Sequence, residues 1–288
     1  MNRTLMVTGS KQEFLLSDKN FTAELADYCH LSLLVDRDCV QWAVTSIDKD
    51  LVVEVGELIS PSEKQLEAEK TLNYNYQSVS LVLRGTPTTI VPSGLFDASK
   101  IKQLLSLTYQ DWQGDLKVAD LPELNAKIVF AEGDVKSSNS ALIKKLRANF
   151  PLMKTYACSE LLIDAIMNRN RFERPDQVYV DLSKSFCDVY VAGEKKFKLY
   201  NHFEIQTDED ALYHITNSIQ QLGLSLEYTT VYLSGDIEIS GERYNLFQSY
   251  FPKISIHFGF ELPNVSTELG LLRKHRFMAL LNSYSCVS

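Results

Sequence analysis

The chain has 288 residues, with 29 Lys and Arg against 37 Asp and Glu, for a net charge of −8. With 45% hydrophobic and 23% charged residues it has a globular balance, and its acidity argues against nucleic-acid phosphate or an anionic membrane as the main partner. Twelve glycines, about 4% against the usual ~7%, leave little material for glycine-rich phosphate cradles.

The N-terminus, MNRTLMVTGSKQEFLL, has no sustained apolar h-region, so no secretory signal is expected. Leu31–Val35, Cys39–Ile47 and Leu51–Ile59 then read as three antiparallel strands, the second alternating through Val40, Trp42 and Val44. Asp48-Lys49-Asp50 makes the tight hairpin between the last two. Ser60-Pro61-Ser62-Glu63 predicts an N-cap serine, a first-turn proline and a capping-box glutamate, with a helix to Leu72. Strands follow at 78–84 and 88–91, then a helix capped by Asp97 with the stripe Ile101, Leu104, Leu105 and Thr108. A strand over 127–131 and a helix over 140–149 complete the first half.

The second half opens with Gln177–Val180, Asp181, a turn, Cys187–Val191, the hairpin Ala192-Gly193-Glu194 and a long strand to Ile205. Thr207-Asp208-Glu209-Asp210 starts a helix with capping-box spacing, carries Leu212, Ile215, Ile219 and Leu222 on one face, and ends at Gly223. A buried strand over Val231–Leu233 and a helix capped by Ser240 come next. Val35-Asp36 and Val180-Asp181 lie 145 residues apart, each followed by a turn, a strand, a hairpin, a strand and a capped helix. The pattern predicts a duplicated α/β chain of two domains, 1–157 and 158–288.

The residues Val178-Tyr179-Val180-Asp181, Leu199-Tyr200-Asn201-His202-Phe203, Thr207–Tyr213 and Val231-Tyr232-Leu233-Ser234-Gly235-Asp236 resemble the actin-like ATPase superfamily. More closely, the chain is similar to a family of uncharacterised bacterial proteins with that fold, and distantly to the actin homologues of pilus assembly and cell division. The resemblance implies two ribonuclease-H-like lobes facing each other across a cleft, each a mixed five-stranded sheet flanked by helices. It also implies ATP and Mg²⁺ as cofactors, with Asp36 and Asp181 on the metal or the attacking water. Ser183, Lys184, Ser185 and Gly235 would then touch the nucleotide. Phosphate turns in such proteins need glycine for close backbone approach. Here Asp36-Arg37-Asp38-Cys39 has none, and Asp38 adds a second carboxylate. Leu182-Ser183-Lys184-Ser185 has none, and Ser234-Gly235-Asp236 keeps a single one.

The plainer expectation makes Asp36 and Asp181 turn caps or backbone hydrogen-bond acceptors. Asp208, Glu209 and Asp210 answer the helix dipole rather than a metal. The histidines at 30, 202, 214, 257 and 275 lack ligand spacing, although His202 and His214 could converge. No metal site is expected, and Cys187 reads as core. The five cysteines, Cys286 among them, show no paired motif, which suits reduced thiols in the cytoplasm. Arg273-Lys274-His275-Arg276 and Lys144-Lys145 read as solvated faces or local ion pairs. Several strand tyrosines are expected to stand exposed as a protein-contact surface. The favoured function is a degenerate actin-like protein that acts as an interaction or scaffold module on an unknown protein partner. The alternative is an active ATPase or a sugar-kinase-like phosphotransferase.

Overall fold

In a computed structural model, residues 13–37, 39–132, 140–170, 172, 174–256 and 262–285 are described. The expectations for the N-terminal dodecapeptide and for Asp38, His257 and Cys286 lie outside them. The chain divides into two units, 1–161 with 262–272 and 279–288, and 162–261 with 273–278.

The first unit opens with β1 (Glu13–Ser17) and a single helical turn, α1 (Ala23–Ala26). The meander is β2 (Cys29–Val35), β3 (Cys39–Ser46) and β4 (Leu51–Ile59), turned at Asp50 with φ 48°. β2 is buried at every position, as a strand covered on both faces must be, and its sequence accordingly runs apolar rather than strictly alternating. The helix α2 (Glu63–Ala68) starts later than the sequence predicts. Its N-cap is Ser62, whose N–H is accepted by the Gln65 side chain at 3.0 Å, so the capping box is shifted by two residues from Ser60.

Next come β5 (Ser78–Leu83) and β6 (Thr88–Pro92). Asp97 caps a 3₁₀ turn, accepting from Ser99 N–H, and that turn leads into α3 (Ile101–Ser106). Then follow β7 (Asp115–Leu121), β8 (Ala126–Glu132), α4 (Ser140–Asn149), β9 (Lys154–Ala157) and α5 (Cys158–Arg169). Strands β6, β8 and β7 form a separate antiparallel three-stranded sheet.

The second unit holds β10 (Gln177–Leu182), β11 (Phe186–Gly193), β12 (Lys196–Glu204), α6 (Asp208–Gln221), β13 (Thr230–Gly235), α7 (Glu242–Tyr250) and β14 (Ile254–Ser255). The cap of α6 is the expected one: Asp210 N–H donates to Thr207 Oγ1 at 3.1 Å, and the Asp210 carboxylate accepts from Thr207 N–H at 3.0 Å. Gly223 ends the helical segment with φ +68°. The N-cap of α7 is Gly241, one residue beyond the predicted Ser240. The chain closes with β15 (Asn264–Val265) on β4 and α8 (Met278–Ser285).

The order β12-β11-β10-β13-β14 has two antiparallel pairings on one side of β10 and two parallel ones on the other. The order β4-β3-β2-β5-β9 repeats it with the same directions. In the first unit β1 and β15 extend that five-stranded core along β4 to seven strands. One face of the second sheet buries Val178, Val180, Val189, Val191, Val231 and Leu233 against Ile215 and Ile219 of α6 and Phe247 of α7. Burying side chains of this size contributes about 1.5–3 kcal/mol each.

Candidate functional site

The expected site residues occupy the carboxyl ends of the central strands, where open α/β sheets bind ligands. In the second unit, Asp181 is 2% exposed and accepts from Ser234 Oγ at 2.7 Å, its register partner on parallel β13. Its antiparallel partner is Asp188, also 2% exposed, which pairs with His202 Nδ1 at 2.6 Å. A polar row of buried Ser234, Asp181 and Asp188 and half-buried His202 therefore crosses four strands. His202 and His214 do not converge. His214 stacks on Phe203 at 4.2 Å, and Phe203, adjacent to His202 on the strand, points to the other face of the pleat.

Leu182 pairs with Cys187, leaving a four-residue turn, 183–186. Ser183 N–H donates to Phe186 O at 2.9 Å, and Ser185 N–H donates to Ser183 Oγ at 3.2 Å. Their carbonyls are engaged as well: Ser183 O accepts from Arg243 Nη1 at 3.2 Å and Ser185 O from Ile205 N–H at 2.9 Å. Arg243 also donates to Asp236 O at 2.8 Å and pairs with Asp208 at 2.6 Å, binding two loops and the start of α6 at one guanidinium. Of the expected nucleotide contacts, Ser183 is buried in the turn, Ser185 is half-buried and Lys184 is exposed. Gly235 sits at φ +80°, and its carbonyl accepts from Ile237 N–H at 2.9 Å. Cys187 is fully buried, and its thiol is pushed up to about 12 by desolvation first and Asp188 next.

In the first unit the turn closes in the same way as the one after β10. Val35 pairs with Val40, and Asp36 N–H donates to Cys39 O at 3.0 Å, so the hairpin reverses at once. Val35 also pairs with Leu83, and Arg84, just past β5, donates its N–H to Val35 O at 3.0 Å, as Asp236 N–H donates to Leu182 O at 2.7 Å in the second unit. Asp36 and Arg84 are each 8% exposed. Burial and then Glu57 drive the Cys39 thiol well above its ordinary range. Asp36 adds to the rise and Arg84 opposes it. Among the described residues no group of three or more His, Cys, Asp or Glu is arranged to hold a metal, and no helix is long and apolar enough to cross a membrane.

Arg84, Asp188 and Arg243 are the site residues that reading the sequence missed. Asp188 was within reach, since pairing the two strands about the turn sets it opposite Asp181. Arg243 carries no local signal, because its side-chain partner Asp208 is 35 residues away, Ser183 is 60 away, and the nearer partner, Asp236 O, is a main-chain carbonyl. The basic run near the C-terminus resolves into local pairs, Arg273 with Glu238 at 2.5 Å and Arg276 with Asp236 at 3.3 Å.

The family model described as "Protein of unknown function (DUF3822)" matches residues 18–254. A Bacteroides thetaiotaomicron protein with an actin-like ATPase fold and unknown function is 18% identical. The match covers 91% of this chain and 98% of that one, with a TM-score of 0.73. A chain of the PilM–PilN type IV pilus biogenesis complex is 11% identical over 88% of this chain and 96% of that one, with a TM-score of 0.52. The cytoplasmic domain of EpsL, from the type II secretion system of Vibrio cholerae, is 12% identical over 90% and 95%, with a TM-score of 0.47. No curated protein matches. The fold of this chain is the actin-like ATPase fold.

Proposed function

This chain belongs to the DUF3822 family of proteins of unknown function, and from that membership and its own residues we propose that it is an actin-like protein that does not turn over ATP and works by contacting another protein. The observation that carries this reading is the state of the turn after β10. The amides of Ser183 and Ser185, which a phosphate would need as donors, already have acceptors inside the turn. The hairpin at Asp36 supports it too, because it closes on its own amide and stands beside Arg84. The recurrence of one strand order in both units supports an origin by internal duplication. That Cys29, Cys39 and Cys187 are not joined in disulfides among the described residues supports a reducing, cytoplasmic setting.

The opposing reading, Mg-ATP turnover or sugar phosphorylation with Asp36 and Asp181 on the metal, draws on exposed Lys184 and on Gly235. Calorimetric titration with Mg-ATP separates the two. We expect no binding tighter than ~100 µM, which corresponds to about 5 kcal/mol. Tighter binding that disappears in Asp181→Asn, a change that keeps an acceptor for Ser234, would favour the enzyme.

A further inference from the structure

The small sheet of the first unit has two edges, and the hydrogen-bond phase shows what each offers. Ala131 N–H donates to Pro87 O at 3.0 Å and Ser93 N–H to Asn125 O at 2.9 Å. Odd-numbered residues of β8 therefore face β6, and the even-numbered ones face β7. Through the register Phe130 to Lys117, residues 115, 117, 119 and 121 of β7 bond to β8. The main-chain groups of Leu116, Val118 and Asp120 then point outward, and no strand pairs with that edge among the described residues. The same phase turns Thr88, Ile90 and Pro92 outward on β6, where the proline has no N–H to give. The β6 edge is blunted and the β7 edge is not.

The side chains on the open edge set its taste. Leu116 is half-buried and Val118 is 41% exposed, on the face that also carries Val129. Residues 111–123 hold four carboxylates, Asp111, Asp115, Asp120 and Glu123, against one lysine, Lys117. Lys127 of β8 pairs with Asp120, which leaves the acidic excess at Asp111, Asp115 and Glu123. Lys117 is itself drawn to the buried Glu132 at 3.4 Å. Self-pairing of β7 is poorly matched: a two-fold axis at Lys117 opposes two lysines, and one at Val118 sets Leu116 against Asp120.

We propose that β7 accepts an extended segment of a partner protein as an added strand, with apolar residues at alternate positions and Lys or Arg at its flanks. The proposal rests on the protein-contact reading above and names the surface through which the contact is made. Main-chain bonds to Leu116, Val118 and Asp120 would supply affinity, and the acidic border would select basic flanks.

The test uses the full chain and the fluorescein-labelled peptide Lys-Val-Thr-Val-Thr-Val-Lys, with Glu replacing both Lys in the control. Anisotropy is expected to show the basic peptide binding about tenfold or more tighter than the acidic one. Amide exchange should slow at Leu116, Val118 and Asp120 and stay unchanged at Lys117 and Ala119. Val118→Pro removes one outward N–H while sparing the β8 ladder, and should weaken binding about tenfold. Should the proline loosen Lys117 and Ala119, Val118→Arg, which adds a cation at the edge, must weaken the basic peptide instead. Equal binding of both peptides, or no slowing at the three outward amides, overturns the proposal. Slowing of those amides by self-association without peptide also overturns it and assigns the edge to a second copy. Titration with Mg-ATP is a separate readout, so a silent edge leaves the non-hydrolysing reading standing.

Discussion

Trp42 lies across Gly56 on the neighbouring strand, its register partner, so closely that a Cβ added there would meet the indole at 2.0 Å. The indole N–H donates to the buried Glu54 carboxylate at 3.1 Å, which fixes the ring in that position. Gly56→Ala must displace the ring from a filled core, so urea unfolding followed by tryptophan fluorescence should show a loss of about 2 kcal/mol or more. His30 is fully buried, with Nδ1 2.7 Å from Ser78 Oγ and Nε2 2.9 Å from Ser80 Oγ. Desolvation first, and then Lys154, lowers it from 6.5 to about 4. A depressed histidine contributes its full stability above the unfolded value and loses it as protons bind the unfolded chain. Unfolding midpoints should therefore fall between pH 6.5 and about 4, by on the order of 3 kcal/mol, with a shallower slope in His30→Gln. The sequence marks Asp36 and Asp181 because each ends a strand before a turn. It could not show that Arg84 and Ser234 stand beside them, since strand neighbours across a crossover have no local signature. The tyrosine expectation failed at Tyr179 and Tyr190, which are 0% exposed, because an alternating pattern does not reveal that both faces of the sheet are covered, while Tyr213 on α6 is 65% exposed.

Among the elements, those with an alternating pattern or a terminal residue of fixed geometry were the legible ones. The meander, the Glu194 hairpin and the α6 capping box fall where the residues place them. Helix α5 escaped because Leu161, Leu162, Ile163, Ala165, Ile166 and Met167 are all buried, so no stripe of one face stands out. Strand β9 has four residues and β7 mixes charge with half-exposed apolar side chains, which leaves either with little pattern to read. The turn after β10 is where an element's fate depends on a distant group. Arg243 holds Ser183 O and Asp236 O together with the Asp208 carboxylate. Removing it leaves two carbonyls and a carboxylate without that donor. Arg243→Ala should cost about 2–3 kcal/mol and speed amide exchange at Ser183 and Asp236 while α6 stays protected. Unchanged exchange at both would show that the turn does not depend on the guanidinium.

At the scale of the whole chain, the repeated three-strand meander was readable because each half states it with its own turns and caps, whereas the closing strands β9 and β14 were not. The return of the C-terminal segment to the first unit was not. Ser283 on α8 donates to Ser32 Oγ at 2.9 Å, a bond spanning 251 residues that no local pattern announces. The chain has the actin-like ATPase fold, and in the turn after β10 the amides of Ser183 and Ser185 are bonded from within. In the function proposed above, fold and activity separate at that point. The most direct measurement is an NMR titration of the amides of Ser183, Lys184, Ser185 and Gly235 with Mg-ATP. We predict that millimolar nucleotide leaves all four resonances in place. Saturable shifts at Ser183 and Ser185, with their internal bonds exchanged for phosphate oxygens, would contradict the account.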